Sequence, residues 1–125
     1  MAVSAKAKVN IDIHEGVTFE QTFQWLEEDG VTPVDLTGYD AEMHVRDKIT
    51  DAEPKLALTS DDGEIVFTLT PEDGFYTIII PADKTAGICP RHKIIVGVYD
   101  LKFSKAGVVL LQQYGSARMI PAVTR

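Results

Sequence analysis

The sequence predicts an all-β fold, a single two-sheet antiparallel β-sandwich of immunoglobulin-like or jelly-roll type with eight or nine strands, on three observations. Apolar and polar residues alternate at period two along much of the chain, the spacing that lines one face of a strand with core. Gly, Pro or Asp breaks that alternation roughly every ten residues, as turns between short strands require. No stretch carries a helical period long enough for more than one short helical turn.

The elements follow in order. Val9, Ile11 and Ile13 alternate with Lys8, Asn10 and Asp12 and predict a first strand, after which Gly16 permits a bend. Val17, Phe19, Phe23 and Trp25 share a parity opposite Thr18, Glu20, Thr22 and Gln24, which predicts the most strongly amphipathic strand of the chain. Glu28, Asp29 and Gly30 make a turn, and a loop containing Pro33 follows. Ala41, Met43 and Val45 alternate with Glu42, His44 and Arg46, and Leu56 with Leu58 gives a short strand beyond the polar stretch 47–53. Ile65, Phe67 and Leu69 and then residues 75–80 flank a turn at Pro71, Glu72, Asp73 and Gly74, predicting a hairpin. Residues 83–86 suit one helical turn with Asp83 as its cap and Gly87 as its stop. Residues 94–103 and 108–114 make a long hairpin about the turn 105–107, Gly115 suggests a bulge, and Pro121 ends the last strand.

At 125 residues the chain suits one domain, 1–125, with short N- and C-terminal arms, and its 45% apolar content supplies a core. The net charge is −7, and it is unevenly spread: residues 1–90 hold 18 acids against 6 bases, whereas 91–125 hold 1 acid against 6 bases. The acidic majority repels phosphate backbones, so nucleic acid is not an expected partner, while the basic last part could face an acidic partner or another copy's acidic part. No apolar run reaches the length of a membrane span, so no membrane insertion is expected. A single cysteine, Cys89, fits folding in a reducing cytosol and is expected to be a small buried apolar residue.

Residues that could carry chemistry are scattered. His14, His44 and His92 lack paired metal-ligand spacing, and His14 and His44 fall on the polar parity of their strands. Asp61, Asp62, Glu64, Glu72 and Asp73 cluster near two turns but lack the spacing of a calcium loop. The serines have no motif context, so the expectation is no catalytic residue, no metal, no cofactor and no enzyme. Trp25, Tyr39, Tyr76, Tyr99 and Tyr114 could form a sugar-stacking platform, although the parity of Trp25 with Phe19 and Phe23 assigns it to the core.

Three pieces carry a resemblance. They are "IHEGVTFEQTFQW" with "DGVTPVDLTGYDAEMHVRD" at 13–25 and 29–47, "LTSDDGEIVFT" with "IPADKTAGI" at 58–68 and 80–88, and "VGVYDLKF" at 96–103 with the closing "VTR" at 123–125. In that order they resemble small tailed-phage and prophage virion structural proteins, and the opening is similar to the N-terminal domain of phage baseplate upper proteins. The resemblance implies a non-enzymatic structural protein that links tail, baseplate, fibre or neck components through protein-protein contacts. A capsid decoration (cement) protein is the alternative, and a carbohydrate-binding module in host recognition a further one. Expected partners are other virion proteins and copies of itself, in a virion assembled in the bacterial host cytoplasm.

The motif residues are expected to hold the fold: Phe19, Trp25, Asp35, Leu36, Gly38, Tyr39 and Tyr99, with Asp35 or Thr37 bonding nearby backbone and Tyr99 filling a corner between sheets. Function would then lie in edges, loops and terminal arms. The candidate arm residues are Met1, Ala2, Val3, Met119, Ile120, Val123 and Arg125, since a short arm can add a strand to a neighbour's edge.

Overall fold

The computed structural model describes residues 7–67 and 71–123. Nine strands lie within them: β1 (Ala7–Lys8), β2 (Ile11–His14), β3 (Phe19–Gln24), β4 (Asp40–Arg46), β5 (Leu56–Thr59), β6 (Ile65–Phe67), β7 (Phe75–Ile80), β8 (Ile95–Lys105) and β9 (Val108–Ile120). A four-residue helix, α1 (Ala82–Thr85), follows β7, and single 3-10 turns sit at Pro71–Asp73 and Pro90–His92.

The strands form two sheets. The larger runs β1-β9-β8-β4-β5 with β2 also on β9, and the smaller runs β3-β7-β6. Lettered A to G with β1 and β2 as A and β5 as C′, the sheets read A-G-F-C-C′ and B-E-D, which is the immunoglobulin-like order and sets the jelly-roll alternative aside. Between them Ile13, Met43, Val45, Leu58, Ile78, Ile80, Leu101 and Met119 are wholly buried and belong to one apolar cluster. Each such aliphatic contributes about 1.5–3 kcal/mol by leaving water.

The pairing is antiparallel except at one edge. β1 and β2 run parallel to β9, with Ile11 opposite Ala117 and Ile13 opposite Met119. The chain must leave β2 at the end where the turn 15–18 hands it to β3 in the other sheet, and that direction is the direction of β9. The expected first strand is also split. Val9 still takes a ladder bond from its N–H to the Tyr114 carbonyl, but its own carbonyl accepts the Tyr99 hydroxyl and Asn10 Oδ1 accepts the Ser116 N–H.

Other expectations need correction. Val17 lies in the turn before β3 and is 55% exposed, and Phe19 and Phe23 are only half-buried, because β3 is a sheet edge and covers the core from one side. β7 carries the stronger pattern, with Tyr76, Ile78 and Ile80 buried. Asp83 does not cap α1: Pro81 occupies that position without a side-chain bond, and Asp83 lies inside the first turn. The bulge falls at Gln112, opposite the step from Leu101 to Lys102, and not at Gly115. Gly115 instead lets β9 approach the N-terminal segment, since a Cβ there would overlap the Val9 carbonyl. Leu69 lies outside the described residues.

Candidate assembly surfaces

Any reaction centre inside the sandwich would have to use its buried polar groups. The Tyr76 hydroxyl donates to Gln113 Oε1 at 2.6 Å, Gln113 Nε2 donates to the Tyr99 hydroxyl at 2.9 Å, and the Tyr99 hydroxyl donates to the Val9 carbonyl at 2.6 Å. This relay ties the small sheet to β9, β8 and the N-terminal segment. Burial pushes both phenols above their ordinary pKa, so they act as neutral donors. Glu64, also buried, forms an ion pair with Lys84 and accepts the Thr59 N–H. No three of His, Cys, Asp or Glu among the described residues stand close enough to hold a metal ion.

One end of the sandwich, which we term the lower end, is closed by Glu15. Its carboxylate accepts the Cys89 N–H at 2.9 Å and the Ala122 N–H at 3.1 Å, and its own N–H donates to the Ile120 carbonyl at 2.9 Å. Next to it the Gly16 N–H donates to Thr85 Oγ1 at 2.9 Å. One turn therefore holds α1, the loop after it and the segment following β9. Cys89 is buried as expected, and burial together with the neighbouring Glu15 charge raises its thiol pKa, the opposite of nucleophile activation. Beside this clasp lies an open depression of about 950 Å³, lined among others by Val17, Ala86, Pro90, Arg91, His92 and Val123. Arg91 and His92 both take left-handed backbone angles, φ 62° and 54°, which cost ~1–2 kcal/mol per non-Gly residue.

The outer face of the larger sheet carries a second depression, about 740 Å³. His44 and Arg46 of β4 stand opposite Tyr114 and Ser116 of β9, with Val98 and Asp100 of β8 between them. Arg46 is held by the Asp51 carbonyl and by His44 Nδ1, and His44 lies 3.5 Å from Glu42. Val96, Val98, Val108 and Val109 are exposed on β8 and β9, and Ile49 is 82% exposed in the loop after β4.

The upper end carries the motif residues. Trp25 is fully buried, with its ring centroid 5.0 Å from Phe103 and 5.5 Å from Tyr39. Leu36 is also buried, Asp35 Oδ1 accepts the Thr37 N–H, and Gly38 takes φ 82°, so the segment 35–39 is the structural turn its residues predict. Above it Leu26 pairs with Pro33, and residues 26–33 form a small hairpin whose tip is held by Asp29, which accepts the Val31 and Thr32 N–H groups.

Of the expected arm residues, Met119 and Ile120 are the last two of β9, and Met119 is wholly buried between Ile13 and Ile95; they belong to the fold. The strand ends at Pro121 as expected, so the arm reading reached two residues too far into β9. Val123 is 94% exposed, whereas Met1, Ala2, Val3 and Arg125 lie outside the described residues. The aromatic platform does not assemble: Trp25, Tyr76 and Tyr99 are buried, and Tyr39 packs on Trp25 and Phe103. Sequence reasoning missed Glu15 and Gln113. The only signal was polarity at a position whose neighbours, Ile13 and Met119, have core parity.

No protein-family model matches the chain, and no curated protein matches it. Among solved structures, the N-terminal domain of phage TP901-1 ORF48 aligns over 90% of this chain and 84% of that one, with 9% sequence identity and a TM-score of 0.43. What the fold establishes for this chain is an all-β, two-sheet sandwich.

Proposed function

We propose that this chain is a non-enzymatic structural protein of a tailed-phage virion, joining tail, baseplate, fibre or neck components through protein-protein contacts. The observation that carries the proposal is where the polar chemistry lies. Tyr76, Gln113 and Tyr99 bond one another and the backbone, Glu15 bonds backbone amides, and Glu64 pairs with Lys84. Each is engaged in joining strands or loops. Outward, the larger sheet displays valines beside a polar groove, and exposed apolar groups rimmed by polar ones suit protein contact. The sequence resemblance to virion proteins supplies the biological setting for that contact.

Quantitative mass spectrometry of purified particles from a host producing the chain tests the reading. The expected result is a fixed number of copies per particle that travels with tails. Copies on tail-less heads would favour the capsid decoration alternative, and absence from particles would contradict the proposal.

A further inference from the structure

The two ends of the sandwich differ in shape and in charge: one projects a small hairpin and the other holds an open depression. The upper end projects the 26–33 hairpin, with Glu28 exposed at its tip and Val31 78% exposed beside it, and the Pro71–Asp73 turn adds exposed Glu72. Lys105, over the Tyr39 ring, is the nearby cation at this end. The lower end holds the 950 Å³ depression, whose one lining carboxylate, Glu15, is engaged by the Cys89 and Ala122 amides, with Arg91 on its rim, Lys93 just beyond it in the chain and the 55% exposed Val17 in its wall. Among the described residues none of Glu28, Glu72, Arg91 and Lys93 belongs to an ion pair.

These two features cannot meet within one molecule. β3 starts beside the depression and ends beside the hairpin, and its six residues hold the two about 20 Å apart. We infer that the upper hairpin of one copy docks in the lower depression of the next, so that the chain associates with itself head to tail. The acidic tip would meet the Arg91 guanidinium, which presents a fork of donors matched to a carboxylate, and Val31 would cover Val17. Such an interface uses a different patch on each partner. It therefore closes a ring or continues as a file, and it leaves one free acidic end and one free basic end on any open assembly.

This inference deepens the structural-protein reading and rests on it, but it is tested on the isolated full chain. Sedimentation from micromolar to millimolar chain at low salt should show mass rising with concentration beyond the dimer, and high salt should return the monomer. Arg91→Glu with Lys93→Glu blocks the lower end, and Glu28→Lys with Glu72→Lys blocks the upper one; Asp29 is left alone because it holds the hairpin. Each double variant by itself should lose self-association while keeping the thermal melt of the unaltered chain. Mixed in equal amounts, the two meet through native charges at one junction and swapped charges at the other, both attractive, and the mixture should recover association as an alternating assembly. A chain that stays monomeric throughout, or variants that associate as the unaltered chain does, would overturn the head-to-tail interface. Particle incorporation with no self-association would overturn it while leaving the structural role intact.

Discussion

The two ends of this sandwich are closed by different chemistry. At the upper end Trp25, Tyr39, Phe67, Tyr76 and Phe103 form a connected aromatic cluster, with centroid separations from Phe103 of 5.0 Å to Trp25 and 5.8 Å to Phe67. At the lower end a carboxylate and a hydroxyl, Glu15 and Thr85, hold backbone amides. An aromatic closure depends on area and tolerates small displacements. A polar closure fixes particular amides, so it specifies the path of the 86–92 loop and of the segment after β9. The difference teaches why the upper loops are free to carry charge outward and the lower loops are held around a depression.

Substitutions at each end can break or sharpen that contrast. The largest loss should come from Phe103→Ala, which empties the centre of the aromatic cluster and should cost about 3–5 kcal/mol in denaturant unfolding. Glu15→Ala should cost less overall, about 1–3 kcal/mol in total, because the Ala122 amide is only half-buried and water can replace the carboxylate there. It should act locally, with hydrogen exchange rising first at Cys89 and Ala122; uniform acceleration across β7 and β8 would count against a local clasp. Tyr99→Phe removes the donor to the Val9 carbonyl and the acceptor of Gln113, for about 1–3 kcal/mol in total, and should loosen β1 and β2 before the rest.

The smallest effect should be seen at Asp12→Asn. The bond from Arg118 lowers the Asp12 pKa below its ordinary value of 3.8. A lowered folded pKa stabilises above the unfolded value and loses that contribution as pH falls through the folded one. Removing it should slightly flatten stability against pH below about 4 and leave neutral pH nearly unchanged, since both partners are half exposed to solvent. A series of thermal melts across that acid range checks the slope.

Much of this fold is legible in sequence because period two reports which face of a strand is buried. Residues 75–80 are β7 as expected, the turn 105–107 has its left-handed Ala106 and Gly107, and Trp25 lies in the core. The failures share a cause. Parity cannot say which strand becomes an edge, so it overrates Phe19 and Phe23. Nor does it give direction, so the parallel pairing of β2 with β9 had to come from connectivity. Polar residues with non-local partners are the hardest to read: Glu15 and Cys89 are 74 residues apart in the chain, and nothing near Glu15 marks it as a clasp. The candidate surfaces were still less legible, because a depression and a protruding tip arise only when distant loops meet at one end.

The central claim is that Tyr76, Tyr99, Gln113, Glu15 and Glu64 hold the fold while exposed surfaces, the two ends among them, carry the function. It is tested most directly by counting copies per purified particle for two variants, Tyr99→Phe and the Arg91→Glu, Lys93→Glu pair. The prediction is that Tyr99→Phe melts earlier yet is incorporated in full number, whereas the charge-reversed pair melts normally and is depleted. Depletion of Tyr99→Phe at a temperature where it is folded, with full incorporation of the charge-reversed pair, would contradict it.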